Sequence, residues 1–310
     1  MYIIETNSLT KKYGNKTIVD EISLTIKSGE IFGFLGTNGA GKTTFINMVT
    51  GIILPSSGNF KLLGAGKDDL EKIKNKIGVL PDYSSFYDDM TPVQHLDYFS
   101  RILGKKKSKS DILSLLQRVG LIDSADIKTK KFSFGMKKKL GIAQALINDP
   151  ELIFLDEPTS GVDAESILDI HKLILDINNE GKTIFMTSHN LDEVEKICTT
   201  IGIMRQGSIH SMGSMEQLRK EHQKSYKVSI KHSPMKENAK QLIKTLIDGI
   251  AISAKYDKEY LYLTLEQENT IPIIIRALTQ SKVDILRVEV EEPSLQEIFL
   301  SKESSDKLII

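Results

Sequence analysis

Apolar and polar positions follow a strand-like pattern at the start of the chain. Residues 2–9 and 17–26 are predicted as two β-strands, and in the second Ile22, Leu24 and Ile26 alternate with polar residues, as on a half-buried sheet. Short apolar segments that indicate buried strands follow at residues 31–35, 77–80 and 152–156, and a further strand is predicted at 183–187. Short runs without alternation are typical of strands buried on both faces of a parallel sheet. The pattern therefore predicts a mixed α/β core.

Segments with a helical period separate these strands. The predicted helices cover residues 43–50, 68–76, 91–103, 111–119, 136–147, 164–178 and 191–198, with a short strand at 59–63 and a hairpin at 201–212. Thr91, Pro92 and Gln94 form a helix start, with a threonine cap, a proline in the first turn and a glutamine three residues after the cap. Residues 91–148 are therefore expected to form a helical insert.

The pattern changes after residue 215. A linker helix is predicted at 215–224, and short elements follow: strands at 226–230, 250–255, 260–265 and 285–290, and helices at 233–247 and 271–279. Their order, β-α-β-β-α-β, suggests a ferredoxin-like unit. Ser294 and Glu297 mark the start of a closing helix at 294–300. We predict two domains, at residues 1–222 and 225–310.

Composition restricts the possible partners and compartment. Lysine plus arginine and aspartate plus glutamate number 41 each, so zero net charge gives no general attraction to nucleic acid. The single cysteine, Cys198, excludes an internal disulfide and suits a reducing compartment. No apolar run reaches the roughly 18 residues that span a bilayer. The sequence thus predicts a cytoplasmic protein that reaches a membrane only through another subunit.

The segment that connects the strand at 31–35 to the next helix carries a phosphate-binding pattern. It fits G-x-x-x-x-G-K-[ST] and consists of Gly36, Thr37, Asn38, Gly39, Ala40, Gly41, Lys42, Thr43 and Thr44. Glycines let successive N–H groups turn inward, and the following helix N-terminus favours anions. We expect Lys42 to reach the β- and γ-phosphates and the Thr43 hydroxyl to bind Mg²⁺.

Further candidates lie at other strand and helix ends. Asp156 and Glu157 follow a buried strand, and His189 follows another, where ligands bind in open α/β sheets. Ser133 and Gly135 precede a helix, which presents free N–H groups to an anion.

One aromatic residue has two open interpretations. Tyr13 sits in the turn between the first two strands. Its ring either stacks on a flat base or packs against the edge of the sheet.

With these motifs in this order, residues 1–215 resemble the ATP-binding subunit of an ABC transporter. Residues 36–43 match the Walker A loop, 132–136 the signature, 152–156 Walker B and 161–163 the D-loop. The resemblance implies that Glu157 is the catalytic glutamate, that His189 is the switch histidine and that Tyr13 stacks on adenine. Lys42 would act with the two catalytic side chains. Mg²⁺ would be held by Thr43, Asp156 and Asp82.

The resemblance also implies an architecture and partners. The fold class is α/β, a P-loop NTPase with an antiparallel β subdomain and a helical insert, plus a small α+β C-terminal domain. Phosphate loop and signature would lie far apart within one chain. ATP on the loop of one copy would therefore be covered by Ser133 and Gly135 of a second copy. The dimer would power a separate integral-membrane permease from the inner face of the cell membrane, without nucleic acid.

The chain departs from the family pattern at four positions. Phe134 replaces the first signature glycine, and Met136 replaces the glutamine. Asp82 stands where a glutamine or glutamate normally reaches Mg²⁺ and the permease, and Lys139 stands where arginine is common.

The end of the chain bears on the subfamily. Residues 292–300 resemble the ending of bacterial drug, bacteriocin and sodium exporter ATPases, which favours export. One alternative is an ABC ATPase without a permease, in translation or repair. A single cassette and the lack of a long coiled coil speak against it. Another is a regulatory module without turnover, which the presence of both Glu157 and His189 disfavours.

Overall fold

The computed structural model describes residues 1–83, 85–223 and 225–291, together with residues 295 and 298. The chain divides into two compact units, Met1–Met215 and Glu216–Ile310. The helix predicted as a linker begins at this division.

The first unit contains ten described strands in two sheets. They are β1 Tyr2–Tyr13, β2 Lys16–Lys27, β3 Ile31–Leu35, β4 Ser57–Leu62, β5 Ala65–Gly66, β6 Ile77–Leu80, β7 Leu152–Asp156, β8 Thr183–Ser188, β9 Thr200–Arg205 and β10 Ser208–Gly213. One sheet is antiparallel, in the order β2-β1-β4-β5. The other has the order β10-β9-β3-β8-β7-β6 and is parallel except for the β9–β10 hairpin. The predicted α/β class with an antiparallel subdomain is thus present.

Seven described α-helices belong to the first unit. They are α1 Lys42–Val49, α2 Leu70–Ile73, α3 Pro92–Ile102, α4 Lys109–Arg118, α5 Phe134–Leu146, α6 Ala164–Asn179 and α7 Leu191–Ile197. Helices α3, α4 and α5 lie between β6 and β7, which confirms the helical insert. Thr91 caps α3 in the predicted capping box with Gln94. Helix α5 also packs on β6 so closely that a Cβ on Gly78 would lie 2.3 Å from the Ala145 carbonyl oxygen.

Apolar packing explains the position of the parallel sheet. Five buried phenylalanine rings form one cluster between the two sheets and beneath α1: Phe32, Phe34, Phe45, Phe154 and Phe185. Side chains on the opposite face pack against α5 and α6. Strands covered on both faces are mainly apolar on both faces, which is why these segments lack alternation.

Strand order decides where the polar chain segments meet. In the parallel sheet β8 lies between β3 and β7, and Asp156 is paired with Thr187. The carboxyl ends of all three strands lie at one edge because the strands are parallel. The phosphate loop, Glu157 and His189 therefore come together there.

The second unit is a split β-α-β arrangement, as its predicted element order indicates. Its elements are α8 Met215–His222, β11 Tyr226–His232, α9 Glu237–Asp248, β12 Ala251–Tyr256, β13 Tyr260–Leu265, α10 Ile271–Gln280 and β14 Ile285–Glu291. The antiparallel sheet has the order β12-β13-β11-β14. Helices α9 and α10 contribute apolar side chains to the core on one face of this sheet.

Two predicted helices differ from the structure. The single helix at 68–76 is wrong: a four-residue α2 lies between two 3₁₀ turns, and only Leu70 and Ile73 are buried. Two buried apolar residues are too few to form the continuous apolar face that would hold a longer helix against the core. The helix predicted at 233–247 begins later than expected, since α9 starts at Glu237 with Lys236 at its N-cap. The Ser233 hydroxyl accepts a hydrogen bond from the Asp284 amide.

The closing helix at 294–300 falls largely outside the described residues. Leu295 and Ile298, which are described, are helical and buried.

Within the described ranges, no helix combines the length and apolar character needed to cross a bilayer.

Candidate active site

The phosphate loop has the backbone that anion binding requires. Gly41, which precedes α1, has φ +110°, and a Cβ there would lie 2.6 Å from the Ile18 carbonyl oxygen. A larger residue would therefore be both strained and in collision. No side chain caps α1. The first N–H groups of this helix thus remain available to a phosphate.

Lys42 is buried at the base of this loop. Its Nζ donates hydrogen bonds to the carbonyl oxygens of Gly36 at 2.7 Å and Thr37 at 3.3 Å. The same nitrogen lies 3.3 Å from Oε1 of Glu157. The ammonium group therefore contacts both the loop and the carboxylate at the end of β7.

Glu157 is held in an uncommon backbone conformation. Its φ is +50°, in the left-handed region, and its amide donates to Oγ1 of Thr187 at 2.9 Å. Oε2 lies 2.8 Å from Nδ1 of His189. Oε1 is buried and makes an ion pair with Lys42 without hydrogen-bond geometry. One carboxylate oxygen is thus fixed by the histidine, and the other retains its capacity to accept a proton.

Asp156 lies immediately before it and is buried. Burial raises the pKa of this carboxyl, whereas hydrogen bonds from the Thr187 and Thr43 hydroxyls act in the opposite direction. Thr187 Oγ1 donates to Oδ1 at 2.5 Å. Among the described residues, no three acidic, histidine or cysteine side chains form a metal cluster. Thr43 and Asp156 fit Mg²⁺, which takes few protein ligands and completes its shell with phosphate oxygens and water.

Asp82, also predicted as a metal ligand, contacts a lysine in this structure. Oδ1 of Asp82 lies 3.7 Å from Nζ of Lys138, which also donates to the Asp82 carbonyl oxygen at 3.0 Å. Both residues line the cleft above the phosphate loop.

The cleft has a volume of about 710 Å³ and collects residues from most of the predicted motifs. Its described lining comprises Lys16, Ile18, Asn38, Gly39, Ala40, Gly41, Lys42, Thr43, Thr44, Asp82, Tyr83, Phe134, Lys138, Glu157, Ser160, Gly161 and His189. Tyr13 lies outside it, at the end of β1, with its ring 4.9 Å from Nζ of Lys11. Stacking of Tyr13 on adenine therefore stays a prediction.

The signature residues have local roles in this chain. Ser133 caps α5 by accepting a hydrogen bond from the Met136 amide at 3.2 Å. Gly135 packs on α6, where a Cβ would lie 2.7 Å from Oγ of Ser166. Phe134 is 71% exposed and lines the cleft, whereas Ser133 and Gly135 are not among its described lining residues.

Sequence reasoning missed Lys138. It is 8% exposed and lies on the buried side of α5 with Gly135 and Ile142. A lysine at helical spacing within an apolar stripe was the signal, because buried lysines are rare without partners.

Sequence reasoning also missed Glu193, a buried carboxylate on α7. It accepts hydrogen bonds from Thr159 Oγ1 at 2.6 Å, Ser188 Oγ at 3.3 Å and Asn190 Nδ2 at 3.3 Å. Its partners flank Glu157 and His189 in sequence. Glu193 thus connects the chain segments that carry the two side chains.

Family comparison agrees with this geometry. Residues 19–160 match the ABC transporter family, and residues 213–302 match the family described as "ATP-binding protein DrrA1-3-like, C-terminal domain". A solved dimeric ATP-binding cassette, MJ0796 bound to ADP and Pi, superposes with a TM-score of 0.63 at 23% identity, covering 68% of this chain and 98% of that one. The predicted P-loop NTPase fold is confirmed.

Relatives match over nearly the whole chain. The linearmycin resistance ATP-binding protein LnrL of Bacillus subtilis is 32% identical over 96% of this chain and 97% of its own length. The bacitracin transport ATP-binding protein BcrA of Bacillus licheniformis is 34% identical over 96% of both. These matches confirm the resemblance drawn from the motifs. The chain belongs to the ATP-binding subunits of ABC transporters, which hydrolyse ATP.

Proposed function

We propose that this chain is the ATP-hydrolysing subunit of an exporter and that Glu157 is its catalytic base. The observation that carries the assignment is Glu157 itself, a residue that lines the cleft and whose Oε1 makes an ion pair with Lys42 but no hydrogen bond. A carboxylate oxygen so placed can accept a proton from an attacking water. His189 holds the other oxygen at 2.8 Å and so orients the group.

Lys42 and the loop amides bind the phosphates. The Lys42 ammonium, now hydrogen-bonded to the Gly36 and Thr37 carbonyl oxygens, turns to the β- and γ-phosphates when ATP enters. The N–H groups of Asn38 to Thr44 surround them. Positioning and charge stabilisation are the main contributions of a protein to phosphoryl transfer.

Mg²⁺ belongs to the same site in this proposal. The ion would neutralise charge that develops on the phosphate oxygens. Thr43 and Asp156 hold it, and Thr187 orients Asp156 through the 2.5 Å hydrogen bond. Asp82 is the weaker candidate ligand because its carboxylate faces Lys138.

A second copy completes the site. In that dimer Ser133 and the Gly135 backbone face the γ-phosphate on the partner's loop. The support is chemical: Ser133 caps α5 through its oxygen and retains an O–H donor, and its side chain is exposed. The solved relative MJ0796 is dimeric.

The partner at the membrane is an integral-membrane permease, which places the chain at the inner face of the cell membrane. An aromatic surface supports this docking: Tyr83 is 91% exposed, and Tyr87 packs edge-on against Tyr98, 5.5 Å between ring centroids, with both partly exposed. Exposed aromatic groups of this kind are typical of protein contact sites. LnrL and BcrA, named for linearmycin resistance and bacitracin transport, favour export of a drug-like cargo.

Affinity purification tests the coupling to a permease. Tagged wild-type chain and a Tyr87→Asp, Tyr98→Asp double variant are purified from detergent-solubilised membranes of the native host. We expect an integral membrane protein to co-purify with the wild type and to be lost with the variant. If no membrane protein is recovered with active wild-type ATPase, the proposal fails in favour of an ABC ATPase without a permease.

A further inference from the structure

Lys138 occupies a place where lysine is costly. It lies on α5, buried against the end of β7, and burial lowers the pKa of its ammonium group. A buried charge persists only with good partners, since removal from water strongly destabilises an unpaired charge. The contacts of Lys138 therefore need a functional or structural reason.

Its ammonium group joins two segments of the cleft. Nζ donates to the carbonyl oxygen of Glu157 at 2.7 Å and to that of Asp82 at 3.0 Å. The Asp82 carboxylate lies 3.7 Å away. A lysine has three donors, and this arrangement directs them at main-chain oxygens of two loops and at one negative charge.

One of these carbonyl oxygens belongs to the residue with the strained backbone. Glu157, at φ +50°, is held on its amide side by Thr187 and on its carbonyl side by Lys138. A backbone conformation of this kind persists only where its surroundings fix it. The direction of the Glu157 side chain follows from that backbone, so the lysine acts on the carboxylate indirectly.

Helix α5 carries this contact together with the signature. Ser133 is the N-cap of α5, and Lys138 lies within the second turn of the same helix. A rigid helix moves its residues together. Through Lys138, this helix is therefore hydrogen-bonded to the main chain of both Glu157 and Asp82.

We propose that Lys138 is a positioning residue for ATP hydrolysis, which fixes the backbone of Glu157 and the loop of Asp82 relative to helix α5. The inference rests on the catalytic role proposed for Glu157. Lys138 contacts neither Lys42 nor the main chain of the phosphate loop among the described hydrogen bonds, so its removal should affect turnover more than ATP binding.

The experiment compares Lys138→Gln and Lys138→Arg with the matched control Lys137→Gln, the preceding lysine on the same helix. Phosphate release gives kcat and KM, and thermal unfolding verifies the fold. For Lys138→Gln we expect kcat to fall by about 10- to 100-fold, the scale of a misplaced catalytic group, with KM within about threefold. The control keeps wild-type values.

Lys138→Arg covers the case in which the glutamine variant does not fold. A planar guanidinium keeps the charge but is larger and holds its N–H groups in fixed directions, so it meets the two carbonyl oxygens with altered geometry, and we expect kcat to fall by about three- to tenfold at unchanged KM. Wild-type kcat in the folded variants, or a raised KM at unchanged kcat, overturns the inference.

A parallel measurement on Glu157→Gln separates this failure from that of the proposed function. If Glu157→Gln loses turnover but the Lys138 variants do not, only the role of Lys138 is wrong. If Glu157→Gln itself turns over normally, the catalytic assignment is wrong.

Discussion

Replacing Glu157 by glutamine tests the centre of the site. The change substitutes an NH₂ group for one carboxylate oxygen and removes the negative charge 3.3 Å from Nζ of Lys42 and 2.8 Å from Nδ1 of His189. Size and backbone preference barely change. The variant therefore isolates proton acceptance and charge from packing.

Hydrolysis should fall steeply. An amide cannot take the proton of an attacking water, and removal of a positioned base costs about 10²- to 10⁴-fold. The buried Oε1 of Glu157, with no hydrogen-bond partner, is the oxygen whose loss matters. We expect at least a 100-fold lower kcat.

The affinity for ATP should instead increase. At 3.3 Å and an effective dielectric constant of 20, the Lys42–Glu157 attraction amounts to about 5 kcal/mol before desolvation. Burial of both groups offsets most of this energy. If about 1 kcal/mol remains, freeing Lys42 for the phosphates tightens ATP binding by about fivefold.

The assay pairs single-turnover phosphate release with equilibrium binding of a fluorescent ATP analogue. Glu165→Gln, an exposed glutamate in the first turn of α6, is the matched control and should behave as the wild type. Wild-type turnover in Glu157→Gln would refute the catalytic assignment. Weaker ATP binding would refute the argument that Glu157 competes with phosphate for Lys42.

Two further predictions use other contacts. In the Glu157→Gln variant, ATP but not ADP should produce a dimer in sedimentation. Adding Ser133→Arg should abolish the dimer, while the monomer still binds ATP. A dimer that forms without ATP, or that survives Ser133→Arg, would contradict the shared site. Glu193→Gln should lower the free energy of unfolding by about 1.5 kcal/mol in urea titrations because a buried acceptor of three hydrogen bonds loses its charge. The exposed Asp192→Asn on the same helix should change it by less than about 0.5 kcal/mol, and equal values for the two variants would contradict the role of Glu193.

Much of the fold was predictable because burial leaves a direct trace in sequence. Fully buried β3, β7 and β8 are mainly apolar and do not alternate, with polar residues only at the ends of β7 and β8, and parallel pairing then brings their carboxyl ends to one edge. The positions of the phosphate loop, Asp156, Glu157 and His189 follow from that topology. Local signals also sufficed for α3, whose capping box is complete within four residues.

Other features depended on contacts between distant segments. A helix was predicted from Ser233, yet α9 starts at Glu237 and the Ser233 hydroxyl accepts a hydrogen bond from the Asp284 amide, 51 positions later in the chain. The sequence suggested that Gly135 is a glycine because a phosphate approaches it. The structure gives a second reason, since Ser166 of the same chain leaves no space for a Cβ at this position. Lys138 joins three segments. Sequence spacing records none of these neighbours, so such roles required the folded chain.

The left-handed conformation of Glu157 has a consequence for evolution. A non-glycine residue at φ +50° costs on the order of 1 kcal/mol, which is a noticeable fraction of the 5–15 kcal/mol that stabilises an average domain. A mutation of Glu157 to glycine should therefore remove this backbone strain and also abolish turnover. Selection for stability alone would erode the site, and selection for activity must continually oppose it. An inactive descendant of this chain is thus expected to lose its glutamate here before it loses the apolar strands beneath.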